Sequence, residues 1–227
     1  MIVLALDTAG IDCSVALYDA ASDRILSVQT EMIGKGHAEK LMAQIEAALA
    51  EAAITLQDVG RIAVTIGPGS FTGIRVGVAA ARGLALSLGI EAFGITTLET
   101  MAAHHLAGSG PHPVVAAMDA KRGEIYAQPF GADGSAIDEP RALTPHAVAE
   151  LAARHGAILS GTGAMAIAAA TSGEAGEPAA QAVPDRFDIA TVAKLGASKP
   201  GGSEKPKPLY LRGPDAKPQI GFALARS

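Results

Sequence analysis

Short apolar runs separated by polar turns open the chain and predict three strands. They span residues 2–6, 13–18 and 25–31. From about His37 to Ala53 the apolar residues instead recur every three or four positions, which predicts an amphipathic helix. Its apolar face carries Leu41, Ile45 and Leu49. The opening of the chain therefore predicts a β-β-β-α unit.

A glycine-rich turn joins the next predicted strand and helix. The strand covers 62–66, and the helix runs to about Leu88. The turn between them contains Gly67, Gly69 and Gly73. Ser70 or Thr72 can cap the helix, and the N–H groups at its start can bind an anion. A tight connection without a ligand is the alternative, because the turn is neither a Walker A loop nor Gly-x-Gly-x-x-Gly.

Small residues recur at four-residue spacing along this second helix, at Gly73, Gly77 and Ala81. Such a stripe lets another backbone approach the helix closely. It indicates either tight helix packing inside the fold or packing against a partner chain.

The pattern starts again after a strand at 90–94, a helix at 98–106 and a break rich in Gly, Pro and Ser. Val114–Asp119 repeats the apolar strand ending in aspartate at Ile2–Asp7. Further repeated elements are strands at 124–130, 136–141 and 157–160 and a helix at 145–154. The order predicts a duplicated α/β chain. Its parts are a first lobe at 1–107, a reduced second lobe at 112–198 and an extended tail at 199–227.

Two later segments have less regular patterns. A surface loop is predicted over 171–184, followed by a short helix over 189–195. The basic, proline-rich tail could be disordered, contact RNA or strap across the domain. We favour the strap, because Leu209, Tyr210 and Leu211 are apolar enough to dock.

Composition narrows the class of function. The 227 residues are 49% hydrophobic but only 4% aromatic, with no Trp, and the net charge is −5. Stacking on nucleic-acid bases is therefore not expected as a main activity, and no global attraction to nucleic acid is expected. Cys13 is the single cysteine, which excludes an intrachain disulfide. Without a signal segment or an apolar run near ~18 residues, a soluble cytoplasmic protein with no membrane contact is expected.

Both halves begin with a strand–Asp–turn–strand hairpin, which is the layout of actin-like ATPases and sugar kinases. In those proteins the hairpin turns hold phosphates between the lobes. The candidate nucleotide or phosphate residues are Asp7, Thr8, Ser70 and Asp119. The alternative is that both aspartates simply cap turns.

Three blocks carry a resemblance to one family. They are 67–75 (Gly-Pro-Gly-Ser-Phe-Thr-Gly-Ile-Arg), 118–126 and 210–212. With Leu6-Asp7-Thr8 and His37 they make the chain resemble the TsaB (YeaZ) family of the bacterial tRNA threonylcarbamoyladenosine machinery. The resemblance covers nearly the whole chain, and it implies an actin-like, ribonuclease H-like duplicated fold (ASKHA class) with a reduced second lobe.

The resemblance also implies partners and a role. It implies a heterodimer with the catalytic paralogue TsaD, contact with the ATPase TsaE, and tRNA bound through the complex. Alone, the chain could form a homodimer. The implied role is a non-catalytic scaffold without a cofactor of its own, with ATP or ADP bound weakly or at the partner interface.

The residues independently favour a non-catalytic role. TsaD-like proteins carry His-x-x-x-His on the helix after the strand at 90–94, whereas here Thr97 and Met101 stand in those places. A hydroxyl and a thioether do not make a plausible chelating pair. We therefore predict no metal site and no catalytic residue. A stand-alone actin-like ATPase or phosphotransferase is the alternative, and a metallopeptidase is disfavoured.

The first two helices are the predicted partner surface. The predicted interface residues are His37, Leu41, Ile45, Leu49, Gly73, Ile74, Gly77 and Ala81. On this hypothesis Gly77→Leu blocks partner binding while the lone subunit stays folded. The alternative is that both helices merely cover the sheet.

Overall fold

The computed structural model of the chain describes residues 1–171, 186–202 and 204–212. The loop predicted over 171–184 and the tail beyond Arg212 therefore lie almost entirely outside the described residues.

Five strands form the first sheet. They are β1 (Ile2–Asp7), β2 (Asp12–Asp19), β3 (Arg24–Met32), β4 (Val59–Gly67) and β5 (Glu91–Thr96). The order is β3-β2-β1-β4-β5, with β1 antiparallel to β2 and parallel to β4. The central strand β1 is buried from Val3 onward, as expected for a strand that is covered on both faces.

Helices cover both faces of this sheet. One face carries α1 (His37–Glu51) and α2 (Phe71–Leu88), whose apolar residues share a core with Leu4 and Leu6. The other face packs on α6 (Ile189–Ser198) through Val3 and Ala5. Alternate residues of β1 therefore serve two cores, since successive side chains of a strand point to opposite faces.

The second sheet repeats the first in smaller form. Its strands are β6 (Val114–Asp119), β7 (Ile125–Phe130), β8 (Arg141–Leu143) and β9 (Ile158–Ser160), in the order β8-β7-β6-β9. Its helices are α4 (Pro145–His155) and α5 (Ala164–Thr171), and α3 (Thr97–Ser109) packs between the sheets. The first four strand positions recur and the fifth does not, which confirms a duplicated actin-like fold with a reduced second lobe.

Two predicted boundaries are wrong. The strand predicted at 136–141 lies at Arg141–Leu143, and Ala136 makes only an isolated bridge to Phe130. Pro140 has no N–H to donate, so the ladder begins after it. The second lobe predicted at 112–198 also extends too far, because its last helix, α6, packs on the first sheet.

The tail crosses from the first lobe to the second. The Leu209 N–H donates to the Ile66 carbonyl at 2.8 Å, and Arg75 Nε donates to the Tyr210 hydroxyl at 2.8 Å. Two residues later, Arg212 forms an ion pair with Glu124 of the second lobe. The strap interpretation is confirmed for the described part of the tail.

The helix α2 is both long and apolar. Its 18 residues have a mean hydropathy of 1.3, which meets the length and composition of a membrane span although no such run was expected. Its buried face packs mainly on β4, and its outer face carries Arg75 and Arg82. The core helices of folded proteins can have the same length and hydropathy as a membrane span.

We predict that Gly73→Ala destabilises the chain by about 1–3 kcal/mol, because an added Cβ would overlap the Thr8 carbonyl oxygen. Urea unfolding of purified protein measures the change. Gly108→Ala is the matched control, since nothing lies within 4 Å of its Cβ position. Equal stability of the two variants would contradict the packing described here.

Candidate functional site

The candidate site lies where the glycine-rich turn meets the turn between β1 and β2. The Ser70 N–H donates to the Ala9 carbonyl at 2.7 Å, and a Cβ on Gly69 would lie 2.5 Å from the same oxygen. Ser70 Oγ accepts from the Gly73 N–H at 3.2 Å, so Ser70 rather than Thr72 caps α2. An N–H group that was predicted to bind an anion is thus already paired within the chain.

The small-residue stripe of α2 faces this turn. A Cβ on Gly73 would overlap the Thr8 carbonyl, and one on Gly77 would lie 2.5 Å from Thr8 Oγ1. The stripe serves helix packing inside the fold, and its use as a partner surface is wrong. Gly77→Leu is therefore expected to disturb folding itself.

The other predicted interface residues are also buried in this chain. They are His37, Leu41, Ile45, Leu49, Ile74 and Ala81, none more than 8% exposed. The prediction that these side chains contact a partner is wrong, because they already contact the sheet. Sequence reasoning missed the neighbouring half-exposed row of α2, formed by Val76, Ala80 and Leu84. Like the small-residue stripe, this row repeats every four residues, and Val76 and Ala80 directly precede the stripe residues Gly77 and Ala81.

Asp7 is the most perturbed acid of the site. It is 1% exposed and accepts hydrogen bonds from Thr65 Oγ1 at 2.5 Å and the Ala9 N–H at 2.9 Å. Burial raises the pKa of Asp7 to about 6, despite the hydrogen bonds that oppose the shift. Thr8 is also buried and donates to the Gly73 carbonyl at 2.8 Å. Neither side chain presents a surface to a ligand, so their prediction as phosphate contacts is wrong for this conformation.

Asp12, at the start of β2, has two nitrogen-bearing side chains beside it. His37 Nε2 lies 3.2 Å from the Asp12 carbonyl oxygen, and Arg186 Nε lies 3.6 Å from Asp12 Oδ2. Asp12 Oδ1 is buried and has no hydrogen-bond partner in the described part of the chain. Asp12 was not predicted, because an acid at the first residue of a strand has no distinctive sequence signal.

Asp119 occupies the matching place in the second lobe and remains partly exposed. Its carboxylate accepts from the Lys121 N–H at 2.8 Å and pairs with Lys121 Nζ at 2.9 Å. Burial alone would raise the pKa of Asp119, but these hydrogen bonds and the lysine charge hold it below its ordinary value. Lys121 and Arg122 both have positive φ, at 63° and 56°. The structure thus keeps Asp119 ionised at a tight turn.

The positions expected for metal ligands in TsaD-like proteins are used for packing. Thr97 Oγ1 donates to the Pro68 carbonyl at 2.7 Å and is fully buried. The Met101 methyl group packs against Gly161 of the second lobe, where no Cβ could fit. Among residues 1–171, 186–202 and 204–212, no three His, Cys, Asp or Glu side chains converge on a metal site.

Comparison with known proteins decides the family. A family model described as TsaD, tRNA N6-adenosine threonylcarbamoyltransferase, matches residues 25–171. The tRNA threonylcarbamoyladenosine biosynthesis protein TsaB of Escherichia coli is 36% identical over 137 residues. The chain belongs to the TsaD family, in its TsaB (YeaZ) group. The E. coli alignment covers 60% of this chain and 58% of that protein, so the chain spans less than two thirds of this relative.

Two relatives match this TsaB-group chain over nearly its whole length. An uncharacterized protein of Mycobacterium bovis is 31% identical over 95% of this chain and 94% of its own. A Pseudomonas aeruginosa crystal structure, described as similar to peptidase YeaZ, superposes with a TM-score of 0.74 at 29% identity. It covers 93% of this chain and 99% of that one. The match confirms the two-lobed fold.

We predict that Asp7→Asn stabilises the chain, by up to about 3 kcal/mol above pH 6 and little near pH 4. Asn keeps the oxygen that accepts from Thr65 and Ala9. Because the pKa is raised in the folded state, the stability due to protonated Asp7 is lost as pH rises from about 4 to 6. Urea unfolding at several pH values measures the effect.

Asp58→Asn is the control, because its effect on the free energy of unfolding is expected to have the opposite sign. The backbone and side chain of Thr55 donate to Asp58 and lower its pKa. Asp58→Asn is therefore expected to lower the free energy of unfolding at neutral pH, and this loss shrinks as the pH falls. A pH-independent effect of Asp7→Asn would contradict the buried-acid interpretation.

Proposed function

We propose that the chain is a non-catalytic subunit that supports tRNA threonylcarbamoyladenosine biosynthesis. The observation that carries the proposal is the use of Thr97 and Met101. Thr97 donates a hydrogen bond to Pro68 within the first lobe, and Met101 packs against Gly161 of the second lobe, so both positions serve structural contacts. The TsaB name of the E. coli relative supplies the pathway.

The proposal includes no cofactor of the chain's own. Asp7 and Thr8 are enclosed between β1 and α2, and the Ser70 N–H is paired with Ala9. Asp119 is the one predicted phosphate residue with a partly exposed carboxylate, and it is paired with Lys121. ATP or ADP would therefore bind weakly or at an interface with a partner.

We place the partner surface on the outward sides of α1 and α2. Met42 on α1 and Phe71 on α2 expose about half of their apolar side chains. Also on α2, the half-buried row of Val76, Ala80 and Leu84 leaves apolar surface outside the core. A facing pair of helices from TsaD could pack on this row by ridges into grooves. The same surface would support a homodimer when TsaD is absent.

The remaining partners follow from the pathway. TsaE and tRNA would be met in the assembled complex, and the chain would work in the cytoplasm. The net charge of −5 makes strong binding of tRNA by this chain alone unexpected.

Reconstitution tests the proposal. Threonylcarbamoylation of tRNA is measured with purified TsaD, TsaE and the enzyme that forms the intermediate, with and without this chain. We expect activity to require the chain and to survive Asp7→Asn and Asp119→Asn. Activity lost in either variant, with folding and assembly intact, would indicate a working nucleotide site. Full activity without the chain would favour a stand-alone phosphotransferase.

A surface variant tests the partner face. Met42→Glu is expected to weaken co-purification with TsaD by at least about 10-fold, because it buries a charge in an apolar contact. Ile137→Glu is the matched control, since Ile137 of the second lobe and Met42 are both 45% exposed. Equal co-purification of the two variants with TsaD would contradict the placement of the partner surface on α1 and α2.

A further inference from the structure

A cavity of about 480 Å³ opens at the C-terminal end of α2, away from the turn described above. Its walls come from the last turns of α2, the start of β5 and the connector that follows α6. Leu86, Ile90 and Pro206 supply apolar walls, and Leu86 is 83% exposed. The volume lies within the usual range of small-molecule sites, about 300–1,000 Å³.

Two cations flank these apolar walls. They are Arg82 on α2 and Lys205 on the connector. Neither forms an ion pair or a side-chain hydrogen bond with another described residue. Two unpaired cations beside one apolar wall favour an anionic ligand. Their positive charge is local, because the chain as a whole carries a net charge of −5.

Glu91 is the acidic member of the lining. Its Oε1 accepts a hydrogen bond from the Gly202 N–H at 2.6 Å. The carboxylate is therefore held by the connector, and the lining keeps an excess of positive charge.

Gly83 gives independent support. It lies inside α2, where glycine is less favourable than alanine, and its φ is not in the left-handed region. Nothing lies within 4 Å of its Cβ position, in contrast to Gly73 and Gly77, which pack on Thr8. The fold does not require this glycine, but it lines the cavity, where the missing side chain leaves room.

We propose that this cavity binds a small organic anion with an apolar body. The body lies over Gly83 and against Leu86 and Ile90, and the anionic group lies between Arg82 and Lys205. The proposal does not depend on the proposed function, which uses neither this cavity nor these cations.

The test uses anilinonaphthalene sulfonate, which combines an apolar body with one negative charge. We expect saturable fluorescence with the full chain, weakened at least about 10-fold in the double variant Arg82→Ala/Lys205→Ala. Arg24→Ala/Lys35→Ala removes the same charge from surface positions outside the cavity lining and is the control. Equal binding by the two double variants would overturn the proposal, as would the absence of saturable binding.

Substitution of Gly83 separates binding from folding. Gly83→Ala is expected to raise Tm by about 2–4 °C, and Gly83→Leu to abolish probe binding without lowering Tm. Unchanged probe binding by Gly83→Leu would overturn the proposal.

Competition identifies the source of the anion. Displacement of the probe by decanoate but not by decanol would assign an aliphatic acid. Displacement by AMP would assign a mononucleotide. Displacement by decanol as well as decanoate would show that charge is irrelevant and would overturn the proposal.

Discussion

The close contact between the start of α2 and the turn after β1 is the constraint on which the first lobe depends. Gly69 and Gly73 have no Cβ because the carbonyl oxygens of Ala9 and Thr8 occupy that space. The Ser70 N–H and the Thr8 hydroxyl then complete the contact with hydrogen bonds. Because this contact fixes where α2 lies on the sheet, it also fixes which row of the helix is buried and which is left outside.

The same contact has a chemical consequence. In an actin-like enzyme the turn after the first strand faces a phosphate, whereas here it faces its own helix. Asp7 is enclosed as a result, and its pKa rises to about 6 because burial disfavours the charged form. Thr97 and Met101 stand where a TsaD-like protein is expected to carry its histidines. Thr97 donates to the Pro68 carbonyl within the first lobe, and Met101 packs against Gly161 of the second lobe. In both places the side chains make structural contacts within the chain.

The element order could be predicted from the sequence because strands and helices differ in local periodicity. The buried face of α1, with Leu41 and Ile45, was likewise visible. Periodicity could not say whether that face meets a sheet or another protein, since both bury the same apolar residues. The predicted interface therefore fell on residues that the sheet already covers, one helical row away from the row of Val76 and Ala80 on which we propose the partner surface.

The placement of α6 was not predictable for a different reason. Its sequence indicates a helix, but no local pattern predicts the hydrogen bond from Arg61 to the Gly196 carbonyl, 135 positions away. Similarly, Lys205 is far in sequence from Arg82 and Gly83 and becomes their neighbour only through the connector. Sites assembled from distant segments leave no pattern in a single sequence.

The position of α6 also bears on how the chain folds during synthesis. The face of the first sheet that holds Val3, Ala5 and Ala63 is closed by Ile189–Ser198, with Gly196 pressed against Ala63. Until those late residues leave the ribosome, this face of the nascent first lobe stays bare. Transiently exposed apolar surface of this kind promotes aggregation, which is the hazard that chaperones relieve.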